Sequence, residues 1–189
     1  MKNIIINQIN STCRIIDLTH TIEMNIPLAS ILTRVGIWQG LSQERGDVVN
    51  AQNLLISEHT GTHVDATRHI KINAKTIEEF PIDSFIGEAI VLNFSKKGKG
   101  YAITEEDLTK WEEEKKINIE FGQIVLLRTD HSKRWKCLPQ GACYLKDIPY
   151  VSLNAAKYLV SKKIKALGID TGGPDTLGGS LQVHHLLLE

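Results

Sequence analysis

Apolar positions divide the chain into a strand-rich first half and a second half where helix and strand alternate. Residues 14–18, Arg-Ile-Ile-Asp-Leu, are short, β-branched and apolar and predict a strand. Residues 51–57, Ala-Gln-Asn-Leu-Leu-Ile-Ser, predict another. Between them, 24–38 is irregular, with Pro27 and Gly36 as breakers. It nevertheless carries Ile31, Leu32, Val35, Ile37 and Trp38, an apolar content that fits a lid or subunit contact and equally a satellite of the core. Residues 76–80 predict one short helical turn, ended by Pro81.

In the second half, 89–94 reads as a strand and 96–100 as a glycine- and lysine-rich turn. Thr104 is a helix N-cap residue with Asp107 at the capping-box distance, and Glu105 and Glu106 suit the positive helix end. Leu108 and Trp111 are expected to face inward, and the mixed-sign run 112–116 to form a solvated helix face. Residues 123–128 are almost continuously apolar, as in a strand buried on both faces. Ser152 caps a second predicted helix running to Lys162, and 164–169 is a further strand. Four glycines and Pro174 make 170–180 a loop. No Gly-Lys-Ser/Thr follows it, which excludes a P-loop. Asp170 and Asp175 in this loop are candidates for supporting a site rather than forming it.

Composition narrows the class. A length of 189 residues suits one domain, 1–189, and 42% hydrophobic with 23% charged residues is ordinary for a globular protein. Twenty-two basic and 22 acidic residues cancel, so nothing in the balance favours nucleic acid or an anionic membrane. No apolar run approaches a membrane span, and the polar N-terminus is unlike a signal peptide. Cys13, Cys137 and Cys143 fit no zinc-ribbon spacing and are expected to be reduced thiols in a cytoplasmic protein.

The chemistry concentrates in one stretch. His59, His63, Asp65 and His69 fall within 11 residues, three of the chain's seven histidines among them. Imidazole and carboxylate are the donors of zinc- or manganese-type sites that keep a water reactive. Histidines four apart could share a helix face, but Gly61 and the β-branched Thr60, Thr62 and Val64 argue against helix. A strand that bends at Gly61 puts His63 and Asp65 on one side and lets His59 join them. A structural hydrogen-bond network is the competing account. His20 and His131 are isolated; His131 reads as a surface residue, while His20 lies at a strand end within possible reach of the cluster.

His59-x-Gly61-Thr62-His63-x-Asp65 followed by His69 resembles the signature of the cyclase-like metal hydrolases, a family that includes bacterial kynurenine formamidase and isatin hydrolase. The likeness extends to 17–20, 86–92, 122–129, 166–171 and 183–188. It implies an α/β fold, a swivelling β/β/α-type single domain with a mixed central sheet. It further implies His59, His63, Asp65 and His184 as ligands of one or two Zn2+ ions, with Mn2+ as an alternative, and His69 as general acid/base. His185 is the rival of His184 for its place. The implied activity is amide hydrolysis, foremost of N-formylkynurenine to kynurenine and formate. The alternatives are ring-opening of a cyclic amide such as isatin, or a non-catalytic binder of metal or a small molecule. The implied partners are a small-molecule amide and further copies of the chain, in a homodimer or homotetramer.

Two departures from the family pattern stand out. Thr67 occupies a position where the family often has proline, although isatin-hydrolase-like members also lack it. Formamidase-like members have a further glutamate ligand beyond the position of Glu189, so the sequence is expected to be truncated or that ligand to be missing or supplied otherwise.

Overall fold

The computed structural model describes residues 15–136 and 144–189; Arg14 and all three cysteines lie outside them. Among the described residues the elements are β1 (Gly36–Leu41), β2 (Ala51–Leu55), β3 (Ala89–Asn93), β4 (Ala102–Ile103), α1 (Glu105–Lys115), β5 (Ile124–Arg128), β6 (Tyr150–Val151), α2 (Leu153–Ser161), β7 (Ala166–Ile169) and α3 (Gln182–Leu188). Short 3-10 turns punctuate the stretch between β2 and β3. β3, β5 and β7 form a parallel sheet in that order, β4 and β6 form a small parallel pair, and β1 and β2 an antiparallel hairpin. The fold is therefore α/β with both directions of strand pairing, as the resemblance implies.

Local chemistry explains why the helices start where they do. Thr104 Oγ1 accepts the Asp107 N–H while an Asp107 oxygen accepts the Thr104 N–H, a reciprocal cap on α1. Ser152 Oγ accepts the Ala155 N–H and starts α2. Each cap directly follows one strand of the β4–β6 pair, and the Ser152 N–H reaches the Ile103 carbonyl, so one small ladder aligns both helix starts. The apolar faces meet over the parallel sheet. Leu92, Val125 and Leu127 contribute from the sheet, Leu108 from α1, Ala155, Ala156 and Leu159 from α2, and Val183 from α3, all buried in one cluster. Seen from its other face the sheet is half-open, with Val91 exposed. On that face a Cβ at Gly168 would come 2.6 Å from Leu126 Cδ2, which accounts for glycine inside β7.

Several expectations change. Residues 15–18 form no strand, and Ile15, Ile16 and Leu18 are exposed. β-branched residues favour an extended chain, but a strand needs a partner, and Asp17 instead binds the Thr19 N–H and hydroxyl locally. The irregular segment 24–38 ends in β1, whose Gly36 had hidden it. At Gly40 a Cβ would lie 3.0 Å from Asn53 Nδ2 and 3.2 Å from the Ala51 carbonyl, so glycine permits the close approach across the hairpin. Ile26 and Val35 are buried with Trp135 and Tyr144 in a satellite cluster, while Ile31 and Trp38 remain exposed.

The run 112–116 is not wholly solvated. Glu112 is buried, accepting from the Ile119 N–H at 2.7 Å, from Lys162 Nζ at 3.3 Å and from the Tyr158 hydroxyl. His131 is buried rather than superficial, and its Nε2–H donates to the Tyr144 carbonyl at 2.6 Å. Lys165, at the start of β7, reaches back with its Nζ to the Asp83 and Ile86 carbonyls, both at 2.9 Å. No helix among the described residues is long and apolar enough to cross a membrane.

Candidate metal centre

After β2 the chain turns at residues 58–59 and bends at Gly61, whose φ of +67° lies in the left-handed region. The bend brings His63 back against His59, with His59 Nδ1 and His63 Nε2 3.1 Å apart. His63 Nδ1 lies 2.9 Å from the Gly61 carbonyl. A carbonyl only accepts, so Nδ1 carries a proton and Nε2 is the nitrogen turned toward Asp65. Asp65 Oδ1 is 2.9 Å from His59 Nδ1 and 3.4 Å from His63 Nε2, yet it is buried with no hydrogen-bond partner among the described residues.

Two further imidazoles close the group. His69 sits on the 3-10 turn Thr67–His69, its ring centroid 4.2 Å from that of His59 and 5.7 Å from that of His184. One donor atom each from His59, Asp65 and His69 lies within 4.8 Å of the others. From α3, His184 Nε2 points toward Asp65 Oδ2 at 3.9 Å, while its Nδ1–H donates to Asp175 Oδ2 at 2.6 Å. Carboxylate behind imidazole is the arrangement that orients metal-binding histidines.

The electrostatics follow from the crowding. Burial pushes the Asp65 carboxyl up, but contact with His63 and the positive potential of His63, His59 and His69 prevail and hold it at about 2. The same contact raises the His63 imidazole, against the opposing effect of burial. His69 is lowered, chiefly by desolvation of its ring and further by His59 and His184, although Asp65 pulls the other way. An ionised carboxylate with an orphaned oxygen thus sits among imidazole nitrogens 2.9–3.9 Å away. Donors sharing one tetrahedral ion at bond lengths near 2.1 Å lie ~3.4 Å apart. The separations of 2.9, 3.1, 3.4 and 3.9 Å bracket that value. These residues fit a divalent cation.

All five residues singled out by motif and resemblance, His59, His63, Asp65, His69 and His184, converge here. His185 is exposed. Asp175 stands behind His184, as a supporting residue should, whereas Asp170 serves another join, accepting from the Thr129 N–H and hydroxyl and from Ser132 Oγ. His20 reaches the neighbourhood but not the cluster. Its N–H donates to Thr62 Oγ1 and its ring stacks on Trp135 at 4.1 Å. Sequence reasoning gave no role to the Gly61 carbonyl or to Trp135. Backbone oxygens leave no trace in residue type, and the Trp135 contact spans distant parts of the chain. Thr60 Oγ1 is buried beside the site without a partner among the described residues.

The fold agrees with what comparison with known proteins finds. The chain belongs to the Cyclase family, whose model, described as "Putative cyclase", matches residues 16–176. A kynurenine formamidase of Bacillus thuringiensis subsp. konkukian is 30% identical over 149 residues, 78% of this chain and 64% of the relative. The chain thus spans less than two thirds of the length of that curated relative. Among solved structures, isatin hydrolase A from Labrenzia aggregata superposes with a TM-score of 0.79 at 30% identity, covering 93% of this chain and 76% of the other. Isatin hydrolase A from Ralstonia solanacearum gives 0.74 at 25%, covering 86% and 68%.

Proposed function

We propose that the chain is a metal-dependent amide hydrolase, with His59, His63, Asp65 and His184 holding one or two divalent ions and His69 moving protons. The observation that carries this reading is the ionised Asp65 carboxylate whose buried Oδ1 has no hydrogen-bond partner among the described residues while imidazole nitrogens surround it. Nitrogen and oxygen donors suit zinc first and manganese as the alternative. When bound, such an ion supplies Lewis acidity and lowers the pKa of a water toward 7.

The chain's own residues divide the remaining work. His63 and His184 are each locked through Nδ1, by the Gly61 carbonyl and by Asp175, which fixes the opposite nitrogen for coordination. The His69 ring makes no hydrogen bond among the described residues, so it is free to turn between water and substrate. Its lowered basicity leaves it neutral near pH 7, able to take a proton from the attacking water and deliver it to the leaving nitrogen. This division favours His63 over His69 as a ligand.

The first substrate is N-formylkynurenine, giving kynurenine and formate; the similarity to a Bacillus kynurenine formamidase supports it. The fit to an isatin hydrolase at equal identity and over more of the chain supports a second reading, hydrolytic opening of a cyclic amide. The hairpin supports assembly into a homodimer or homotetramer: every residue of β2 is exposed, and Trp38, Leu54 and Leu55 offer apolar surface there.

The test is elemental analysis of the purified protein alongside assays of formate release and isatin opening. Bound zinc or manganese with formate release is the expected result. Metal with isatin opening alone selects the cyclic-amide reading. Protein that takes up no metal under non-chelating conditions overturns the proposal.

A further inference from the structure

α3 begins without a cap of its own. Its N-cap position is Leu181, held at φ +53° with no side-chain hydrogen bond to the helix. The missing acceptor comes from Asp175, further back in the glycine-rich loop. Asp175 Oδ1 accepts the Val183 N–H at 3.1 Å, and Oδ2 accepts the His184 N–H at 2.9 Å. The same Oδ2 accepts the His184 Nδ1–H at 2.6 Å. One carboxylate therefore binds two backbone amides at the helix start and the imidazole projecting from that start. The loop permits this closeness. Gly173 passes so near that a Cβ there would sit 3.4 Å from His184 Cε1, and the Thr171 hydroxyl ties back to the Gly173 carbonyl at 2.7 Å.

We propose that Asp175 is a positioning residue that sets both where His184 stands and which of its nitrogens is available. The backbone bonds fix the Cα of His184 at the first turn of α3. The side-chain bond holds the proton on Nδ1, because a carboxylate only accepts, and leaves the Nε2 lone pair facing Asp65. The two functions are separable in principle but joined here in one side chain. The helix start cannot shift without rotating the donor nitrogen, and the donor nitrogen cannot change without unbinding the helix start. The consequence for metal affinity rests on the hydrolase reading above; the consequence for the imidazole does not.

The experiment therefore has two readouts. The first needs no metal. Long-range proton–nitrogen NMR on the metal-free chain at about pH 8.5, where an ordinary imidazole is neutral, reports the tautomer of His184, assigned by its disappearance in His184→Asn. The expected result is the Nδ1–H form in the native chain and a mixture in Asp175→Ala. A native chain carrying the proton on Nε2 overturns the proposal without any variant having to fold. The second readout is Zn2+ affinity by competition with a chromogenic chelator. Asp175→Asn keeps an acceptor oxygen but loses the charge behind the ring, and should weaken Zn2+ about 10- to 100-fold while melting close to the native chain. Native affinity in Asp175→Asn and Asp175→Ala alike overturns the positioning role. A native chain with the Nδ1–H form and no Zn2+ affinity would support the Asp175 assignment and overturn the hydrolase reading instead.

Discussion

The parallel-sheet half and the histidine-bearing half of this protein are held together by different forces. From β3 to α3 a contiguous apolar cluster is sealed from water, α1 begins at a reciprocal cap and α2 at a serine cap. From residue 15 to the 3-10 turns before β3, β2 is exposed along its whole length, and much of the local order comes from side chains bonding backbone, such as Asp47 to Ser42 or Thr67 to the Lys75 carbonyl. Chemistry sits in the second kind of structure and stability in the first. Donors that must crowd together are placed on a bent, glycine-containing segment, where their mutual repulsion does not act on the core. His184 alone is contributed from the core-packed side.

Substitutions in the two halves should therefore separate. The largest effect is expected at the cluster. His69→Ala should retain bound metal while turnover falls about 10²- to 10⁴-fold. His63→Ala should lose both, and metal analysis with kinetics distinguishes them. In either variant the unfolding free energy of the metal-free chain should move by less than about 1 kcal/mol. Full activity in His69→Ala would remove it from the proton-transfer role.

Next is Leu159→Ala, at a fully buried position in α2, expected to cost about 2–5 kcal/mol in urea unfolding. Folded Leu159→Ala should bind metal normally; matched losses of stability and metal would erase the division between the halves.

Glu112→Gln should cost less, about 1–3 kcal/mol, since a buried hydrogen-bonded charge is replaced by a neutral acceptor. Burial pushes this carboxyl up, yet Tyr158, the Ile119 N–H and Lys162 together hold it below its ordinary value. Its contribution is thus complete above the unfolded pKa of about 4.3 and fades as pH falls through the lower folded value. The acid limb of the stability curve should be shallower in Glu112→Gln. Thr104→Ala, removing a cap, is the smallest at about 1 kcal/mol, read from the same unfolding curves.

How legible the molecule was follows this division too. The α1 and α2 starts were readable because Thr104, Asp107 and Ser152 act within three residues of their partners. The cluster was readable because four of its five side chains lie in one short segment. β1 was not, since Gly36 looks like a breaker until the facing strand is known. Residues 15–18 misled in the opposite direction, having strand composition and no partner among the described residues. Glu112 and His131 looked solvated because their burial is decided by Tyr158, Lys162 and Tyr144, which no local pattern connects to them.

Lys165 ties the two halves together by a flexible arm, beside the packing of Ile26 and Val35 against Trp135 and Tyr144. Its ammonium neutralises the carbonyl ends of the 3-10 turn Ile82–Phe85 just where the chain enters the sheet. The arm is solvent-exposed, so the join is a latch rather than a weld. Slow opening of the histidine-bearing segment can then occur with the sheet intact. Amide exchange at Ile86 and Glu88 should report that breathing motion, while Val125 and Leu127 exchange only when the whole molecule unfolds.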